Sequence, residues 1–111
     1  MKDYLIYRHP GSSVQVTVVR LDEDNQPDPN LPTYMLPHLA KHSPDGFEYG
    51  YMGSGPSDLA RSIVGDWMGT DNPDPRLYMV VKKALIAPLD QDTNFHVITA
   101  GPLRLLLGNP A

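Results

Sequence analysis

Gly53, Ser54, Gly55 and Ser57 stand where an aromatic run gives way to a helical pattern, and their types suit anion recognition. A glycine-rich turn at a helix start brings bare backbone N–H groups together. The hydroxyls of Ser54 and Ser57 add two more donors. Arg8, Arg61 and Lys82 would supply positive charge, and Tyr49 or Tyr51 at the mouth would stack on a nucleobase while the turn holds a phosphate. Two features oppose this: Asp58 places a negative charge at the same helix end, and Pro56 lacks a donor. The Gly-Lys-Ser/Thr ending of a phosphate loop is missing, as is the spacing of a dinucleotide fingerprint. The competing reading is a tight structural corner whose rings pack on the following helix. Phe47 and Trp67 suit that core role, while Tyr51, with its polar tip, fits either.

Other chemistries find less support. Ser54 lacks the flanking residues of a Gly-x-Ser-x-Gly nucleophile elbow, so a serine hydrolase is not expected. His38 and His42 would share a face if they lay on a helix, but the residues between them are Leu-Ala-Lys, not the Glu-bearing spacer of a zinc protease. With no cysteine, thiolate nucleophiles, disulfides and Cys-rich zinc sites are all excluded. No oriented catalytic pair can be named. The expectation is a non-enzymatic protein without metal or cofactor; the enzyme that would fit best is a phosphodiesterase using His38, His42 and nearby acids.

The elements that must position these residues follow from patterning. Tyr4–Arg8 and Val14–Leu21 are β-rich runs around Pro10-Gly11, a pair suited to a type II turn, and Val14, Val16 and Val18 alternate with polar residues. Asp22 to Asn30 is acidic and turn-rich. Leu31 to Asp45 mixes prolines with apolar residues, with a short helix or extended arm expected around Thr33–Lys41. Phe47, Tyr49 and Tyr51 would share one face of a strand over Phe47–Met52. A helix follows, with Gly55 at its cap, Pro56 in first position, and Leu59, Ala60, Ile63, Val64 and Trp67 as its core stripe, ended by Gly69. Asp74-Pro75 can start a second helix, although Val80-Val81 leaves a strand open. Asn94–Thr99 reads as a strand and Ala100–Leu107 as a short helix capped by Thr99. The sum is one α+β domain over 1–111: an antiparallel sheet of the N-terminal hairpin, the central aromatic strand and a C-terminal strand, packed against two or three helices.

Composition sets the outer bounds. The chain of 111 residues can bury one modest core, and its 12 prolines and 9 glycines point to many turns. A net charge of −4 argues against non-specific binding to nucleic acid. Met1–Arg8 is too short and polar for a signal peptide, and no apolar run approaches the roughly 20 residues of a membrane span. A soluble cytoplasmic protein is expected.

The run from Ser43 to Ala60 resembles the signature of a small family of uncharacterised domains from bacteria and their phages, written G-F-x-aromatic-G-Y-x-G-S-G-P-x-x-L-A. Tyr7, Arg8 and Gly11 before it, and Tyr78, Lys82 and Ile86 after it, are similar to the family's flanks. Tyr49 stands where the family usually has Trp, and Val81-Lys82 where it has Phe-Lys. The resemblance implies a fold and a phage or bacterial setting, and no chemistry.

Two functional expectations result. The first is a module binding a small anionic, nucleotide-derived ligand through Arg8, Tyr49, Tyr51, Gly53, Ser54, Gly55, Ser57, Arg61 and Lys82, sequestering a defence signal in a phage-infected cell. Pockets between protomers would then make it a homo-oligomer. The second is an acidic protein that blocks a host protein by surface contact, through the Asp22–Asp28 loop and the Leu31–Leu39 arm.

Overall fold

The computed structural model describes residues 1–39 and 42–111. Two long strands form its spine, β1 (Lys2–Arg8) and β2 (Val14–Arg20), paired antiparallel from Lys2 opposite Arg20 to Arg8 opposite Val14. The expected turn joins them: the Ser12 amide donates to the His9 carbonyl at 3.0 Å across Pro10 and Gly11, and Gly11 takes the positive φ of 76°. A short strand β3 (Tyr34–Met35) adds to the free side of β2, and β4 (Phe95–Ile98) to that of β1. The sheet order is β3-β2-β1-β4, antiparallel throughout, with three helices among the described residues: the fold is α+β.

Strand alternation decides the core. Tyr4, Ile6, Val14, Val16, Val18 and Ile98 point to the helix layer and are buried, while their neighbours in sequence face the other way. Helix α1 (Ser54–Met68) lays its whole expected stripe, Leu59, Ala60, Ile63, Val64 and Trp67, into this core with no exposure. Its cap is Gly53, two residues before the expected Gly55. It ends at Gly69, whose φ of 71° lets its amide reach the Gly65 carbonyl. Helix α2 (Pro75–Val81) resolves the helix-or-strand ambiguity in favour of helix, capped by the Asp74 carboxylate on the Arg76 amide. It runs on through a π-helical turn, Lys82–Ile86, closed by the Ala87 amide on the Lys82 carbonyl at 2.8 Å.

Helix α3 (Ala100–Leu107) is where expected, but the Thr99 hydroxyl does not cap it. Asp3 of β1 does so instead, its Oδ1 accepting from the Ala100 amide at 2.9 Å. The end of α3 is tied to α1 by the Trp67 indole, which donates to the Gly108 carbonyl at 2.9 Å.

One expected strand does not form. Phe47–Met52 pairs with nothing in the sheet: Gly50 at φ 87° bends the chain out of the extended region, and its amide bonds to the Ile86 carbonyl and not to a strand. Phe47 and Tyr49 are buried nonetheless, because the segment crosses the molecule as an irregular strap. The 22–46 stretch is ordered wherever it is described: Leu21 bridges to Pro27, and the Leu36 amide donates to the Val16 carbonyl at 2.9 Å. The segment expected as helix or arm is extended at Tyr34–Met35, and its residues 40 and 41 lie outside the described ones.

Candidate functional site

The corner expected to bind a ligand is assembled from the strap and the start of α1. Gly50 fixes its entry: the Gly50 amide donates to the Ile86 carbonyl at 3.1 Å, and a Cβ there would lie 2.7 Å from Gln91 Cβ and 2.9 Å from the Leu89 carbonyl oxygen. Gly53 lies under the Tyr51 ring, and Gly55 is buried against Glu48, whose Cβ would stand 2.7 Å from an added methyl. Both glycines therefore serve close packing inside the chain. The Ser57 amide and hydroxyl, two of the expected donors, are each bonded to the Gly53 carbonyl at 3.2 Å. Among the described residues, the Ser54 and Gly55 amides are left without a partner.

Arg8 reaches this corner from the end of β1, but its guanidinium is engaged. It donates to Glu48 Oε1 and, at 2.8 Å, to the Gln91 carbonyl, and it lies 4.6 Å from the centre of the Tyr49 ring. Tyr49 is fully buried, its hydroxyl donates to the Thr93 carbonyl, and its ring meets His96 edge-on at 4.9 Å. Burial raises its pKa above the ordinary phenol value. Tyr51 remains 41% exposed; burial of part of its ring, then the carboxylates of Glu48 and Asp45, raises its pKa as well.

The other two cations do not complete an anion pocket. Arg61 lies about 10 Å up α1 from Ser54, two helical turns on. Its guanidinium lies 5.9 Å from the Tyr78 ring of α2. Lys82 is 94% buried (6% exposed) and makes no ion pair among the described residues.

Asp58 is the residue whose role the sequence conceals. It does not face the helix start; its carboxylate is buried, and Oδ2 accepts from His38 Nε2, the His42 amide and the Ser43 amide, each at 2.9 Å. The His38 ring stacks on Phe47 with centroids 4.3 Å apart. His38 is thus a fastener of the loop to α1. No group of three or more His, Cys, Asp or Glu side chains suited to a metal occurs among the described residues. A second carboxylate, Asp66, gathers the hydroxyls of Tyr4 and Tyr34 at 2.7 Å each and Lys2 Nζ at 3.2 Å. Burial, reinforced by that carboxylate, pushes both tyrosines well above the ordinary phenol range.

A surface hollow lies elsewhere, beside the acidic loop. It holds about 850 Å³ and is rimmed by Asp22, Glu23, Asp24 and Asp28, with Arg104 of α3 opposite. The loop has a defined shape. Asp22 Oδ1 accepts from the Asp24 amide at 2.9 Å and the Gln26 amide at 3.0 Å, Asn25 adopts the left-handed conformation at φ 59°, and Asp28 Oδ1 accepts from the Asn30 amide at 2.9 Å. The arm after it is fastened by Arg20, which donates to the Pro32 carbonyl at 3.0 Å, and by the Tyr34 hydroxyl on Asp66.

Residues 8–104 match a family of unknown function, DUF6166. The chain belongs to that family. The match runs from Arg8 at the end of β1 to Arg104 in α3, so it takes in β2, β3, the corner, α1, α2 and β4. No curated protein and no solved structure matches the chain. None of its helices is long and apolar enough to cross a membrane among the described residues.

Proposed function

We propose that this DUF6166 protein acts by contact with a protein partner, presenting the acidic 22–30 loop and the arm after it to a basic surface. The observation that carries this reading is the pre-organisation of the loop. Asp22 and Asp28 spend one oxygen each on backbone amides, while Glu23 and Asp24 stay exposed at the rim of the hollow. A loop already ordered loses little further entropy on binding, and a rim of like charge speeds and selects the approach of an oppositely charged partner. Leu31 of the arm, 38% exposed, adds apolar contact beside the charge. In the phage setting that the resemblance implies, the partner would be a host protein.

Capture from a bacterial lysate tests this, using the protein and its Glu23→Lys/Asp24→Lys double variant. These two side chains are exposed and accept no bond that shapes the loop, so the fold should survive. The expected result is one stoichiometric partner, released by added salt and lost by the variant. Retention of the same partner by the variant, or recovery of none, overturns the reading.

The ligand reading keeps one support, the two unpartnered amides of Ser54 and Gly55 at the start of α1. Amide chemical-shift perturbation with nucleotides and cyclic nucleotides decides it: shifts confined to those two amides support an anion there, and an unchanged spectrum removes it.

A further inference from the structure

The helices cover one face of the sheet only. On the other face Leu5 stands opposite Thr17 on one side and Val97 on the other, and Tyr7 stands opposite Gln15 and Phe95. This surface carries Phe95, Val97 and Met35, 53%, 40% and 50% exposed, around the half-buried Leu5 and Tyr7, with Thr17 and Gln15 of β2 as its uncharged polar members. It lies on strands, so it is rigid. No carboxylate or cation projects from this central block, and Asp3, at the far end of the same face, already has one oxygen on the Ala100 amide. The edge strand β4 also lacks the lysine, proline or inward charge with which exposed edges are ordinarily blunted.

We infer that this bare face packs against the same face of a second copy of the chain. A basic partner finds no anion here; the face is neutral and largely apolar, so it fits a surface like itself. The net charge of −4 on each copy opposes the association only at long range, where salt screens it. Geometry agrees: two equally twisted sheets stack aligned, about 30° apart in strand direction and about 10 Å between layers, around a two-fold axis. The 7, 7, 2 and 4 residues of the four strands cover roughly 300 Å² of flat sheet. With the projecting Phe95, Tyr7 and Leu5 side chains, the two copies together bury about 1,000 Å², the lower end for a specific interface. An interface at this lower end makes a reversible dimer, which tightens as salt screens the net charge. This inference stands apart from the acidic loop, which lies at the end of β2 and not on this face.

The absence of cysteine makes a direct test possible. Sedimentation of the protein from about 1 to 500 μM should show a monomer–dimer equilibrium shifted toward dimer by added salt. Phe95→Glu/Val97→Lys, at two exposed positions, should remain folded by circular dichroism and stay monomeric at least about tenfold higher in concentration. Thr17→Cys, near the centre of the face, should cross-link two copies on mild oxidation far faster than Ser54→Cys, which lies in the corner at the start of α1. A monomer at every concentration, a dimer indifferent to Phe95→Glu/Val97→Lys, or equal cross-linking of the two single-cysteine variants each overturns the proposal. None of these outcomes touches the Glu23 and Asp24 rim, so capture of a partner through that loop is decided separately.

Discussion

The corner at residues 48–58 and the loop at residues 22–30 make opposite use of similar materials. Both are turns rich in small or acidic residues, and in both a carboxylate collects backbone amides: Asp58 those of His42 and Ser43, Asp22 those of Asp24 and Gln26. In the corner the charged and hydroxyl groups named as binders mostly face partners inside the chain, leaving the Ser54 and Gly55 amides without one among the described residues. Arg8 is held by Glu48 and Gln91, Ser57 by Gly53, Tyr49 by Thr93, and the glycines let these elements touch. In the loop the internal bonds use one oxygen of Asp22 and one of Asp28, and the remaining charge points to water. Binding capacity is what a folded chain leaves over once its own polar groups are satisfied, so the residues that look richest in chemistry can be the most fully occupied.

The comparison breaks most visibly at Gly50. Gly50→Ala combines a left-handed backbone with contacts under 3 Å to Leu89 and Gln91, and should cost about 3 kcal/mol in chemical denaturation. A loss under about 1 kcal/mol would mean that the corner is loose enough to admit a ligand. Asp58→Ala comes next. It strips a buried acceptor from two amides and His38, and about 2 kcal/mol of stability should go with it, accompanied by faster hydrogen exchange over 36–47. Smallest is Asp22→Ala, which should cost about 1 kcal/mol or less globally. It should nevertheless abolish the protection of the Asp24 and Gln26 amides, because only local loop order depends on that side chain. If Asp22→Ala weakens partner capture while Gly50→Ala, studied below its melting temperature, does not, the division between a structural corner and a contact loop is sharpened.

Much of the frame was legible along the chain because its causes are local. The Pro10-Gly11 turn, the valine alternation of β2, the apolar stripe of α1 and the Asp74-Pro75 helix start each depend on a few neighbouring residues. Phe47–Met52 misled for the opposite reason. Its aromatic alternation has strand character, but whether a strand forms depends on a partner elsewhere in the chain, and the Gly50 amide goes to the Ile86 carbonyl of the π-helical turn instead. The short Tyr34–Met35 strand carries little signal of its own, and its place is set by pairing with Thr17 and Val18 and by the bond from Tyr34 to Asp66.

By itself, the sequence determined the α+β class, the hairpin, the core stripe of α1 and the acidic character of the 22–30 loop, because spacing and composition act within a few residues. Only the tertiary structure decided which polar groups stay available. Asp58 and Asp66 read alike in a helical pattern, yet one is buried under the loop and the other joins Tyr4, Tyr34 and Lys2. The partners that satisfy a charge come from 15 to 64 residues away. No local pattern encodes that distance, since it is fixed by how the layers pack.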